Sequence, residues 1–312
     1  MRFEMQRILA FTAACVLFLC LIACGGAGST VGTNVSYVVL DNNRLAKFDG
    51  FPGTNWSTFG TVGSGANQFQ VPRDIARDSL GRYYIIDQNN SRIVRIDDLN
   101  GTNWNSLGTL GSGVNQFNGL GGIAIDSLDR IYVADAQNNR IVRMNDISGS
   151  GWTTFGTLGS GVNQFDKPNY VTIDGTGKIL ISDRVNGRIV RINDMSGTGW
   201  VSFGTFGSAI NQFFSAQQIR VDSVGRIYVA DYANARVVRI DDMTGAGWTT
   251  YTAGVSPGGL RLDALDRIYI VNLGTDSVCR IDNMSGANRV DFGATGTGSG
   301  QFVSPTSIFI TN

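Results

Sequence analysis

Of the 312 residues none is His, and the one Glu is Glu4. No Ser–His or Cys–His pair and no His-based zinc centre can be assembled from such a chain. Beyond the first 23 residues the ionisable groups are Asp, Arg, Tyr, three Lys (Lys47, Lys167 and Lys178) and the cysteines Cys24 and Cys279. The most visible polar set is repeated. Asp87, Asp135, Asp183 and Asp231 recur 48 residues apart, and Arg44, Arg92, Arg140, Arg188 and Arg236 keep the same spacing. Groups fixed in every repeat serve what every repeat needs, so a strand-end carboxylate and a forked guanidinium are expected to tie neighbouring turns together. The turns at 97–101 and 193–197 are rich in Asp and Asn, which suggests calcium. They offer too few oxygens for a dedicated loop closed by a bidentate Glu, so turn formation is the reading adopted and no cofactor is expected.

The spacing of these groups comes from a repeat. Trp56, Trp104, Trp152, Trp200 and Trp248 stand 48 residues apart in the same register. One unit, 118–165, resolves into short β-branched and aromatic runs around Ile123-Ala124-Ile125, Ile131–Asp135, 140–144 and 152–156, separated by Gly, Asn, Asp and Ser. Such runs and turns at this period are the signature of a propeller blade. First strands fall near Ile75, Ile123, Val171, Ile219, Leu260 and Ile308, and second strands near Tyr37, Tyr84, Tyr132, Leu180, Tyr228 and Tyr269. The region opens on a second strand and ends after a first strand, so its two ends complement each other. The expected fold is all-β: a closed six-bladed propeller of four-stranded blades, with the C-terminal strand completing a blade begun by three N-terminal strands, which leaves no orphan edge. The fifth link is short and lacks the Asn-Gln-Phe found in the first four, and Arg289 replaces Trp in the unit that follows.

The unit pattern Ile-Ala-Ile-Asp, Arg-Ile-Tyr-Val-Ala-Asp, Asn-Asn-Arg-Ile-Val-Arg, with the link Gly-Ser-Gly-Val-Asn-Gln-Phe, resembles the NHL repeat over about 35–312. The resemblance implies four-stranded blades; members of that family include ligand-, protein- and RNA-binding scaffolds and some enzymes, so function does not travel with the fold. Related six-bladed lyases and hydrolases lean on His or Glu, which this region lacks.

Positions where the repeats disagree are the candidates for a site. Before each first strand stand Arg73-Asp74, Gly121-Gly122, Asn169-Tyr170, Gln217-Gln218, Gly258-Gly259 and Thr306-Ser307. Arg77 departs from its apolar counterparts, and Arg220 and Arg261 share a column with Ala76, Ala124, Thr172 and Phe309. Arg73, Arg77, Tyr170, Gln217 and Gln218 are therefore expected to line an axial funnel for an anionic or polar ligand; neutral drift at a solvated rim is the alternative. Cys279 replaces Val94, Val142, Val190 and Val238 and reads as a small buried hydrophobe.

The start of the chain has a different character. Arg2 and Arg7 precede an apolar run ending Leu21-Ile22-Ala23-Cys24, which resembles the lipobox of bacterial lipoproteins. The expected organisation is a signal peptide over 1–23, a lipidated Cys24 at the head of a flexible tether over 24–34, and the propeller over 35–312. Gly25 after the cysteine, in place of Asp, favours the outer membrane. A formal net charge of zero gives no reason to expect nucleic acid. Together these readings predict a monomeric, membrane-anchored scaffold of the cell envelope that binds protein, peptide or glycan. The alternative is a metal-dependent lyase or lactonase using Asp in the central channel.

Overall fold

The computed structural model describes residues 35–311. The leader, the tether and Cys24 lie outside the described residues. Six four-stranded antiparallel sheets make up the fold. Taken in chain order, the first blade has strands Pro72–Arg77, Tyr83–Asp87, Arg92–Ile96 and Asn105–Leu107. The second has Leu120–Ile125, Ile131–Asp135, Arg140–Met144 and Thr153–Phe155. The third starts with Pro168–Ile173, the fourth with Ala216–Val221 and the fifth with Pro257–Leu262. In the sixth, the C-terminal Pro305–Thr311 pairs with Ser36–Asp41, which continues through Arg44–Asp49 to Thr54–Phe59. The ring is closed by its own two ends, as the strand count predicts.

Burial grades outward along each blade for a physical reason. Second strands such as Ile131–Asp135 are buried at every residue, because both faces meet a neighbouring blade; their sequence is correspondingly an apolar run closed by one Asp. Outermost strands such as Asn105–Leu107 are largely exposed and carry polar residues. The core divides into six clusters, each shared between adjacent blades. The last joins Val38, Leu40 and Phe309 of the sixth blade to Ile75, Ile85 and Val94 of the first. Closure therefore completes a buried cluster as well as a strand ladder.

The repeated Asp and Arg form a clamp on the links. In the second blade Arg140 Nε donates to Asp135 Oδ2 at 2.7 Å, Nη1 to the Ser112 carbonyl at 2.7 Å and Nη2 to the Gln116 carbonyl at 3.0 Å. Asp135 Oδ1 accepts the Asn118 N–H at 2.7 Å. The same guanidinium lies over Trp152, whose ring packs on Phe117 at 5.3 Å. The Phe of Asn-Gln-Phe is thus the partner of the Trp in the blade it enters. The fifth blade lacks the whole set at once. Its link has no Asn-Gln-Phe, and Asn272, Ser277 and Arg289 stand where Asp, Arg and Trp stand elsewhere. Each link but that one also carries a small parallel pairing, such as Thr157–Leu158 with Gln164–Phe165, or the Thr295 to Phe302 bridge. The short link and the missing clamp fall in the same blade, since the link carries the carbonyls and the Phe that the clamp would hold.

Candidate functional site

The first strands stand side by side around the axis and run in the same axial direction. Their leading residues, 73–74 and equivalents, meet at one mouth; their trailing residues, 76–77 and equivalents, meet at the opposite end. A cavity of about 200 Å³ opens at the mouth, lined by Arg73, Asp74, Asn169, Tyr170, Gln217 and Gln218 among others. A second, of about 260 Å³, lies at the far end, with Arg77, Thr172, Arg220, Arg261 and Phe309 in its wall. Tyr170 lines both.

Two tiers of polar side chains cross the axis between them. In the upper tier Arg73 of the first blade donates from Nη2 to Gln217 Oε1 of the fourth at 3.1 Å, and to Asn169 Oδ1 of the third at 3.4 Å. Asn169 Nδ2 donates to the same Gln217 oxygen at 2.6 Å. In the lower tier Asp74 Oδ1 accepts from Ser307 Oγ at 2.9 Å and Gln218 Nε2 at 3.5 Å, and Oδ2 accepts the Ile123 N–H at 2.9 Å. Gln218 Oε1 accepts the Leu260 N–H at 2.7 Å. All six blades are thereby tied together around the lumen. Glycine makes room for it: a Cβ on Gly122 would collide with the Tyr170 ring, and one on Gly121 with the Asn169 carbonyl. Burial, with Arg184 nearby, holds the Arg73 guanidinium below its ordinary pKa. Burial also keeps the Tyr170 phenol protonated, well above its ordinary value.

Of the five residues singled out in the sequence, Arg73, Gln217 and Gln218 meet at the mouth, with Tyr170 beneath them. Arg77 does not join them. It sits on the far rim, donating from Nε to the Gly81 carbonyl at 2.9 Å and lying over Tyr83. The reason is simple: a strand of six residues spans most of the axial depth, so positions 73 and 77 face opposite ends. Cys279 is fully buried, and burial pushes its thiol up to about 12, which leaves it unreactive.

An exposed aromatic patch adjoins the mouth and went unread in the sequence. Val185, Phe206, Phe214 and Tyr232 are 41%, 56%, 47% and 40% exposed. With Arg184 and Gln217 they line a cavity of about 380 Å³. Phe206 and Phe214 pack edge to face with centroids 4.8 Å apart. Gln217 and Tyr232 line this cavity and the mouth alike, so the two are continuous. The signal was present: Phe214 replaces Gln70, Asn118 and Asp166, and Tyr232 replaces Gln88 and Ala136.

Among the described residues no three Asp or Cys side chains converge as metal ligands. The suspected calcium turns use their carboxylates internally: Asp98 Oδ1 accepts the Asn100 N–H, and Asp194 Oδ1 the Ser196 N–H, both at 2.8 Å.

The NHL repeat family pattern matches residues 117–144. No curated protein matches the chain. Among solved structures, the nidogen/laminin complex contains a chain similar to it, with TM-score 0.67 and 15% identity, covering 88% of this chain and 98% of that one. A streptogramin B lyase structure is similar at TM-score 0.58 and 12% identity, covering 89% and 92%. A catalytically inactive virginiamycin B lyase from Staphylococcus aureus, solved with quinupristin, is similar at TM-score 0.56 and 16% identity, covering 80% and 76%. Identities this low establish shared fold.

Proposed function

We propose that this six-bladed NHL-repeat propeller is a binding scaffold, anchored by lipid on Cys24 in the bacterial cell envelope, that takes a protein or peptide segment across its mouth face. The observation that carries the reading is the continuity of the aromatic cavity with the mouth through Gln217 and Tyr232. Exposed aromatics beside fixed amide and guanidinium groups suit a polypeptide, which offers both apolar side chains and backbone hydrogen-bonding groups. Sister blades expose Val62, Leu110 and Leu158 at the Phe206 position but have no aromatic residue at the positions of Phe214 and Tyr232, and an exposed aromatic cluster favours partner binding over solvation. The likeness to a propeller in a nidogen/laminin complex supports a protein ligand in general. The anchor rests on the sequence of residues 1–24 alone.

A photo-crosslinking residue placed at Phe214 in the full-length protein in its native cells tests the binding face. Trapping of a polypeptide at 214, absent when the residue is placed at Leu128 on the far rim and lost with Tyr232→Asp, is the expected result. A trapped glycan, or equal trapping at both positions, would overturn it. Mass spectrometry of the mature N-terminus, with Cys24→Ser as control, tests the anchor. The lyase or lactonase alternative needs converging carboxylates, and Asp74 is the one carboxylate in the walls of the two axial cavities. A stoichiometric divalent metal in the purified protein would revive it.

A further inference from the structure

The far cavity carries positive charge that no residue in its wall balances. Arg220 and Arg261 occupy the same strand position in adjacent blades, and both line it. Arg220 is 8% exposed. All its hydrogen bonds go to neutral acceptors: the Tyr170 hydroxyl, the Ile219 carbonyl at 3.1 Å and Gln218 Oε1 at 3.4 Å. Its Nε is buried without a partner. Arg261 lies over the Phe309 ring at 4.5 Å and makes no hydrogen bond or ion pair among the described residues. Burial, with Arg220 beside it, pushes the Arg261 pKa down to about 10. Asp74, the one carboxylate whose charge acts on Arg261, has both oxygens occupied by Ser307, Gln218 and the Ile123 N–H. Two neighbouring guanidiniums, Arg220 buried and Arg261 partly buried, with no counter-charge in the cavity wall are a costly arrangement that an anion would relieve.

We propose that the far cavity binds a small oxyanion, a carboxylate or phosphate group, between Arg220 and Arg261, with the Tyr170 hydroxyl as a third donor. Guanidinium is the side chain best shaped for such groups, since its parallel N–H bonds match two oxygens. Tyr170 accepts a hydrogen bond from Arg220 and keeps its own proton to donate into the lumen. The volume, about 260 Å³, admits a small molecule together with several waters and excludes a folded partner. The site is separate from the mouth face and independent of the scaffold reading.

Thermal unfolding of the protein in low-salt, phosphate-free buffer, titrated separately with inorganic phosphate and with acetate, tests the site. A saturable rise in Tm with at least one of the two is expected, and which one acts tells phosphate from carboxylate. Arg261→Gln should weaken the response by about tenfold or more. It should leave the anion-free protein at least as stable as wild type, because an unbalanced charge has been removed. Thr172→Asp places a carboxylate in the cavity wall; it should raise Tm without added anion and abolish the response. Leu128→Ser, on an exposed turn, should respond as wild type. No saturable rise with either anion, or an unchanged response in both Arg261→Gln and Thr172→Asp, would overturn the proposal.

Discussion

Arg73 of the first blade and Gln217 of the fourth, on opposite sides of the ring, meet across the axis through a 3.1 Å hydrogen bond. The two residues are 144 positions apart and their blades share no core cluster. Their contact makes the lumen a pair of separate cavities and gives the mouth a fixed floor of donors and acceptors.

Gln217→Ala removes the acceptor shared by Arg73 and Asn169. Hydrogen bonds to charged groups contribute about 1.5–3 kcal/mol, and a loss near 2 kcal/mol in urea unfolding is expected. Asn169→Asp places a carboxylate against the Arg73 guanidinium but loses the donor to Gln217 Oε1, and should cost less than Gln217→Ala. A Gln217→Ala cost below about 0.5 kcal/mol, the level of an ordinary surface change, would show that the tier contributes little.

Arg140→Ala should be among the most damaging single changes. It leaves Asp135 buried and unpaired and frees the link carbonyls, and breaking a buried pair costs about 3–5 kcal/mol. Ser277→Ala, at the matching position of the blade that has no clamp, loses one neutral hydrogen bond, to Thr275, and should cost about 1 kcal/mol or less. Equilibrium denaturation of the two variants side by side checks the contrast. Arg289→Trp should not stabilise the fifth blade, because its link provides no Phe to receive the ring.

Asp129 occupies a left-handed backbone position, φ 60°, where three sister repeats have Gly. Its carboxylate explains the exception, accepting Ser79 N–H at 2.9 Å and Ser79 Oγ–H at 2.6 Å from the preceding blade. Asp266 does the same to Ser223. Asp129→Gly trades the tie for relief of strain and should change stability little. Asp129→Ala loses the tie and keeps the strain, and should cost about 1–2 kcal/mol. Thermal unfolding of both variants separates the two contributions.

Asp98, Asp194 and Asp242 titrate below the ordinary Asp value of 3.8, because hydroxyls of Thr102, Ser196 and Thr244, and then backbone N–H groups, bond their charged forms. A depressed folded pKa stabilises the native state above the unfolded value, and that contribution is lost as pH falls through the folded one. Carboxyl-carbon NMR titration should place all three midpoints below 3.8. Thr244→Val should return Asp242 toward the ordinary value and leave Asp194 in place.

Blade number, strand order and closure were legible in the sequence because each depends on local text repeated at one period. The tie that the repeated Asp and Arg make on the links was legible too, as were the short fifth link and its missing Trp, since every member lies within one unit and its link. Arg77 shows where that legibility stops. It deviates from its column as Arg73 does from its own, yet axial depth separates the two by the length of a strand. The aromatic patch shows a different limit: Phe214 and Tyr232 stand out only when the columns are compared, and their continuity with Gln217 exists only once blades are stacked.

The repeat by itself determined a ring, since each unit exposes apolar faces that only neighbours can cover, and its ends are complementary halves of one blade. Tertiary structure alone decided what fills the ring. Side chains from blades more than a hundred residues apart converge on a common axis, and their encounters follow from blade angle, strand depth and the space that glycine leaves. None of those quantities is written in the local pattern. That is why Arg73 finds Gln217 while Arg261 is left facing an open lumen.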